Sequence, residues 1–218
     1  MAKSASNALA LLGGTFDPVH IGHLRMAIAL RQHGFARVLM LPNQQSPHKQ
    51  PSAASSEQRL AMLELALSSL QGSGLDGIHA SDLELQRPAP SYSVDTLREL
   101  RSEDPQRSLT WVMGSDAWNS VDRWHCAQEI PALANLLVVS RPGARLMREG
   151  FQGDLLAEHE CDAALLPQRL CGGIGLVTWP ELDIASSDLR QAVKQGDNIT
   201  FLTPDPVRDF ILKHQLYR

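Results

Sequence analysis

The stretch Leu11-Leu12-Gly13-Gly14-Thr15-Phe16-Asp17-Pro18-Val19-His20-Ile21-Gly22-His23-Leu24 reads as a buried strand, a glycine turn and the entry of a helix. Paired glycines let the backbone approach a ligand closely, because no Cβ intrudes and positive φ costs little. Asp17 before Pro18 suits a turn or helix entry, and a helix from Val19 onward aims its unpaired N–H groups and positive dipole end at the same place, which suits phosphate. His20 and His23 are three apart, so on such a helix both rings project from one face. Two imidazoles there donate hydrogen bonds to non-bridging oxygens and, where a phosphate raises their pKa, add positive charge in the transition state. Taken alone, the glycines read better as a tight βα turn, and the plain reading of the histidines is a surface or capping pair. Neither G-x-x-x-x-G-K-[ST] nor G-x-G-x-x-G occurs here, and Gly172-Gly173-Ile174-Gly175 reads as a turn into the next strand.

Outward from this segment, Leu9 to Leu12, Val38 to Leu41, Leu109 to Met113, Asn135 to Val139 and Leu176 to Trp179 read as buried strands, with Ile78 to Ala80 a weaker one. Leu24, Ala27 and Ile28 mark one helix; Leu60, Leu63, Leu67 and Leu70 another; Val207, Phe210 and Ile211 the last. Strand and helix alternate, which predicts an α/β, Rossmann-like, doubly wound and mainly parallel sheet with helices on both faces and ligands at the carboxyl ends of its strands. Residues 1–218 are expected to form a single domain. A variable excursion spans about 141–173, with a helix near Asp154 to Glu160.

Twenty Lys and Arg against 24 Asp and Glu give a net charge of −4, so the bulk field attracts neither nucleic acid nor anionic membrane, and any anion must be held locally. At 43% hydrophobic residues, the chain buries enough apolar surface to offset its ordering entropy. Cys126, Cys161 and Cys171 are far apart and without a C-x-x-C spacing, so neither a disulfide framework nor a structural zinc site is expected. Near the histidines there is no His-Glu-x-x-His spacing and no further ligand, so no metal-ligating residue is assigned. The apolar run Ala8 to Leu12 is too short for a signal segment or membrane span, and a cytoplasmic protein is expected.

The order Gly-Gly-Thr-Phe-Asp-Pro-x-His-x-Gly-His after a strand resembles the (H/T)xGH nucleotidyltransferase superfamily. Asp183-Ile184-Ala185-Ser186-Ser187-Asp188-Leu189-Arg190 reads on its own as a capped helix entry. It is also similar to that superfamily's I-S-S-T-x-I-R signature, with Ala185 and Ser187 as departures. Leu41-Pro42-Asn43-Gln44-Gln45-Ser46-Pro47-His48-Lys49 resembles the P-x-x-x-P-P-H-K loop of bacterial nicotinate-nucleotide adenylyltransferases, and Ser91-Tyr92-Ser93-Val94-Asp95-Thr96-Leu97 resembles their S-Y-T-x-x-T-L segment. Gly114, Asp116 and Trp124 match a G-x-D followed by Trp, a spacing that family uses to build its mononucleotide pocket. Trp118 competes with Trp124 as a core tryptophan.

The resemblance implies that nicotinate mononucleotide attacks the α-phosphorus of ATP through its own phosphate oxygen, giving deamido-NAD and pyrophosphate. That oxygen is already ionised, so no catalytic base is needed and the work is alignment and charge stabilisation. It implies backbone contacts to ATP from Gly14, Thr15 and Phe16, with Gly13, Gly114 and Asp116 in the same nucleotide group. His20 and His23 fall on the reacting phosphate; Ser186, Ser187 and Arg190 on the leaving pyrophosphate, with Lys49 enclosing it. Tyr92, Thr96 and Trp124 fall on the mononucleotide, Trp124 stacking on its ring. Magnesium is expected as a cofactor carried mainly by ATP phosphates. Nicotinamide mononucleotide or another phosphate acceptor, a catalytically silent nucleotide sensor and a nicotinamide-dependent oxidoreductase remain as alternatives, the last leaving His-x-Gly-His unexplained. Oligomeric state is not legible.

Overall fold

In the computed structural model, strands β1 (Leu9–Gly14), β2 (Arg37–Pro42), β3 (Ile78–Ala80), β4 (Leu109–Gly114), β5 (Asn135–Ser140) and β6 (Ile174–Thr178) form one sheet in the order β3-β2-β1-β4-β5-β6. The structure describes residues 7–46, 51–70, 72–140, 143–179 and 182–218. Pairing is parallel from β1 to β4 (Leu9 opposite Leu109), β4 to β5 (Thr110 opposite Asn135) and β5 to β6 (Leu136 opposite Ile174). Helices α1 (Ile21–Gln32), α2 (Ser56–Ser68), α3 (Ser93–Glu103), α4 (Ser115–Trp118), α5 (Ile130–Leu133), α6 (Gly150–His159), α7 (Ser186–Gln195) and α8 (Asp205–Lys213) flank it. This is the Rossmann-like, doubly wound α/β arrangement, with the strand order reversing between β1 and β4.

By contact the chain divides into two compact units that exchange segments. The first takes the described residues of Met1–Gly13, Leu30–Leu39 and Tyr92–Pro180; the second those of Gly14–Ala29, Met40–Ser91 and Glu181–Arg218. In the first unit every residue of β5 is buried, so its run Asn-Leu-Leu-Val-Val-Ser lacks the alternation of a half-solvated strand. Asn135 starts β5 with no exposure and full satisfaction. Its Nδ2 donates to the carbonyls of Leu109 (3.1 Å) and Arg169 (2.7 Å), and its Oδ1 accepts from Gly173 N (2.9 Å). That side chain ties the segment before β6 to the sheet. Leu155, Leu156, Ala163 and Leu166 are buried in the same unit, so the stretch from α6 to residue 168 packs into its interior.

In the second unit, α2 begins with a reciprocal cap. Ser55 Oγ accepts from Gln58 N (3.3 Å) while Gln58 Oε1 accepts from Ser55 N (2.9 Å), satisfying two otherwise unpaired donors. Its buried stripe is Arg59, Met62, Leu63 and Ala66, the i, i+3, i+4, i+7 spacing of one helix face. Leu189 of α7 and Val207 and Ile211 of α8 complete the apolar interior, each such side chain contributing on the order of 1.5–3 kcal/mol by leaving water.

Three local expectations shift. The first helix begins at Ile21 rather than Val19, because the chain turns through Asp17 and Pro18 first. Strand β6 begins at Ile174, so Ile174 and Gly175 lie inside the strand and not in a turn. A Cβ at Gly175 would sit 2.7 Å from Ala163, so glycine serves close packing there. Helix α6 starts at Gly150, ahead of the expected Asp154.

Candidate active site

Of the phosphate-directed residues, Gly14, Thr15, Phe16, His20, His23, Ser186, Ser187 and Arg190 lie in the second unit, and Gly13, Gly114 and Asp116 in the first. Gly14 closes β1 and its carbonyl accepts from Asn43 N (3.0 Å), fixing the start of the turn. Neither Gly13 nor Gly14 has positive φ; the left-handed residue is Phe16 (φ 51), buried with its ring edge-on to His23 at 4.9 Å. The glycine pair therefore serves close approach to neighbouring rings and not backbone handedness: a Cβ at Gly13 would lie 2.8 Å from Trp111, and one at Gly14 3.0 Å from Phe16. His20 and His23 stack with ring centroids 3.7 Å apart and an interplanar angle of 27°. The intervening Gly22 permits this, since a Cβ there would meet the His20 ring at 3.0 Å.

His20 is 6% exposed, and burial pushes its pKa down to about 4, so its imidazole is neutral before any phosphate arrives. Its Nδ1 is buried without a hydrogen-bond partner among the described residues, as is Thr15 Oγ1. Unpaired buried polar atoms are uncommon in folded proteins, and these two are left to complete their bonding with water or a polar ligand. The His20 N–H donates to His23 Nδ1 (3.2 Å), which leaves the proton of a neutral His23 on Nε2. The start of α1 is less open than a bare helix end. Ile21 N donates to Leu202 O (3.0 Å) and His23 N to His20 O (3.0 Å), so the imidazoles, rather than a row of amides, are its main donors.

Helix α7 comes to the same turn. Ser186 Oγ donates to Pro18 O (2.9 Å), and Arg190 Nη1 donates to Asp17 O (2.6 Å) and lies 3.9 Å from the Asp17 carboxylate. The helix cap is Ala185, without a side-chain cap bond, so the two serines do not serve as its N-cap. Ser187 Oγ is exposed and donates to Asp188 (3.1 Å). The Ser186 hydroxyl is thus committed to the turn, and its backbone amide at the positive end of α7 is the donor it offers an anion.

Sequence reasoning passed over Arg59, fully buried on α2. Its Nη1 donates to Thr15 O (2.8 Å) and its Nη2 to Gln44 O (3.3 Å) and Ser56 Oγ (3.2 Å). Burial lowers its pKa, and the Asp17 carboxylate opposes that shift. The signal was present, as an arginine on an otherwise apolar stripe requires partners. Asp17 and Tyr217 were also missed as side chains: Tyr217 Oη donates to Asp17 Oδ1 (2.8 Å). Lys49 lies outside the described residues.

The mononucleotide-directed residues lie in the first unit. Tyr92 precedes α3 and its ring faces His125 at 4.5 Å; Trp124 is half-buried and edge-on to Trp111 at 6.4 Å. Trp118 is fully buried and donates to Met147 O (2.9 Å), which makes it the core tryptophan and leaves Trp124 the accessible one. Gly114 and Asp116 are exposed at the end of β4 and the start of α4. Thr96 is fully buried on α3 with Val94, Leu97 and Leu100, so it sits within that wall rather than on its surface. His125, whose ring faces Tyr92, had no sequence signal of its own.

The chain belongs to the cytidylyltransferase-like family, whose profile matches residues 11–192. Among curated relatives, a protein of Hahella chejuensis is 40% identical over 213 residues, covering 96% of this chain and 95% of its own length. One of Sodalis glossinidius is 41% identical over 214 residues, covering 96% of both. Each is named "Probable nicotinate-nucleotide adenylyltransferase". In fold the chain is similar to Plasmodium falciparum nicotinic acid mononucleotide adenylyltransferase complexed with NaAD, with a TM-score of 0.74 at 16% identity and 97% of both chains covered. No helix among the described residues is long and apolar enough to cross a membrane.

Proposed function

We propose that this chain transfers the adenylyl group of ATP to nicotinate mononucleotide, giving deamido-NAD and pyrophosphate in NAD biosynthesis. The observation that carries the reading is the stacked His20–His23 pair, 3.7 Å apart, in one unit with Arg190 and with a Thr15 hydroxyl that has no partner among the described residues. Every member of this set can act as a hydrogen-bond donor to phosphate, as the reaction requires when both reacting oxygens belong to substrates. Full-length relatives carrying the adenylyltransferase name support the choice of substrates.

In the reaction an oxygen of the acceptor phosphate forms a bond to the α-phosphorus as the bond to the pyrophosphate oxygen breaks, and negative charge moves onto the leaving group. His23 donates from Nε2 to the α-phosphate, and the neighbouring anion raises the depressed pKa of His20 toward protonation. Arg190 forks onto the outer phosphates, assisted by the α7 amides of Ser186 and Ser187. Gly14, Thr15 and Phe16 shape the turn around the phosphates. Tyr92 and Trp124 offer aromatic faces to the pyridine ring. Magnesium enters in this reading with ATP, as part of the substrate, since the donors at the turn are imidazole, hydroxyl and guanidinium groups suited to phosphate oxygens. Mass-spectrometric detection of deamido-NAD from ATP, magnesium and nicotinate mononucleotide tests the reading. ATP binding with no dinucleotide formed would instead make the chain a nucleotide sensor.

A further inference from the structure

Asp17 is 4% exposed, yet its side chain receives three hydrogen bonds: Oδ2 from Ala53 N (2.7 Å), and Oδ1 from Ala54 N (3.1 Å) and Tyr217 Oη (2.8 Å). A carboxylate held by three donors has one orientation. Asp17 is in turn the seat of Arg190, whose Nη1 donates to the Asp17 carbonyl at 2.6 Å and stands 3.9 Å from the carboxylate. The remaining N–H groups of Arg190 have no protein partner among the described residues, so they are available to an anion. Tyr217 belongs to the turn after α8, where Gln215 (φ 52) and Tyr217 (φ 64) both occupy the left-handed region that a Cβ disfavours. That conformation needs contacts to hold it, and Leu216 N to Ile211 O (3.0 Å) and the Tyr217–Asp17 bond are two of them.

We propose that Tyr217 is a positioning residue for ATP: its hydroxyl fixes the Asp17 carboxylate, and Asp17 fixes the guanidinium of Arg190 in the place from which it meets the outer phosphates. The inference rests on the reading of Arg190 as a phosphate ligand and adds a residue far along the chain to that site. Burial and the Asp17 charge both raise the Tyr217 pKa, so the phenol remains a donor across the physiological range. Tyr217→Phe keeps the ring and its packing and removes only that donor.

The experiment measures magnesium-ATP binding by calorimetry without acceptor, together with KM for each substrate and kcat, for the full-length chain, Tyr217→Phe, Arg190→Lys and the double variant. Tyr217→Phe is expected to weaken ATP binding roughly three- to tenfold, the effect of one net hydrogen bond. KM for nicotinate mononucleotide should stay unchanged, and Tyr217→Phe should add nothing further on the Arg190→Lys background. Asp17→Asn, which cannot accept from all three donors, is the second variant and should show the same selective loss of ATP affinity. Unchanged ATP binding in Tyr217→Phe, or additive losses in the double variant, would overturn the proposal. A wild-type chain that binds ATP but forms no dinucleotide would overturn the functional reading while leaving this comparison decisive.

Discussion

The backbone N–H of His20 donates to Nδ1 of His23 at 3.2 Å while the two rings stack at 3.7 Å. One contact therefore sets both the spacing of the imidazoles and the tautomer of a neutral His23, leaving Nε2–H as its donor. A donor prepared before substrate arrives needs no reorganisation in the transition state.

His23→Ala should accordingly lower kcat by roughly 100-fold or more while the fold persists, since a preorganised donor to the transition state is removed. Steady-state kinetics on a purified variant with an unchanged circular dichroism spectrum provide the check. Wild-type turnover would remove His23 from the chemistry.

His20 predicts a pH signature of stability. Its folded pKa of about 4 lies below the ordinary value of 6.5, so between those values the unfolded chain binds more protons. The contribution is fully present above pH 6.5 and is lost as pH falls toward 4. From pH 7.5 to 5 the loss from this group is about 2 kcal/mol. Urea denaturation at both pH values should show a flatter dependence for His20→Gln than for the wild type; equal dependences would mean that His20 is not held neutral by burial.

Arg190→Lys should raise KM for ATP more than KM for the mononucleotide. A point charge replaces a guanidinium whose Nη1 is seated on Asp17 and whose other donors have no partner among the described residues. Parallel titrations of the two substrates distinguish this from a general loss, in which both constants would rise together.

The two tryptophans of one sequence region should part company. Trp124→Ala should raise KM for the mononucleotide and leave ATP binding and melting temperature near wild type. Trp118→Ala should destabilise the fold by about 3–5 kcal/mol, because the side chain is fully buried and bonded to Met147 O. Thermal melts and substrate titrations read both. Equal destabilisation by the two changes would place Trp124 in the core.

The alternation of short apolar runs with helical-period segments was enough to place the sheet, because buried parallel strands leave continuous runs such as Leu136 to Val139. The histidine pair and the Ser186–Arg190 segment each read on their own as a cap, and only their resemblance to a known pair of motifs singled them out. Three things were not legible. The left-handed position fell on Phe16 instead of a glycine, because the glycines are needed where Trp111 and Phe16 press against the chain. Arg59 looked like one position on a helix, and only the carbonyls of Thr15 and Gln44 give it a role. Tyr217 and Asp17 are 200 positions apart, a separation at which no periodicity or spacing brings two residues together.

The most direct test is pyrophosphate release with magnesium-ATP, run in parallel with nicotinate mononucleotide, nicotinamide mononucleotide, phosphopantetheine and no acceptor, with CTP as a second donor. Release should be strongest with ATP and nicotinate mononucleotide and should collapse in His23→Ala. Release with no acceptor at all, or only with CTP as donor, would contradict the assignment.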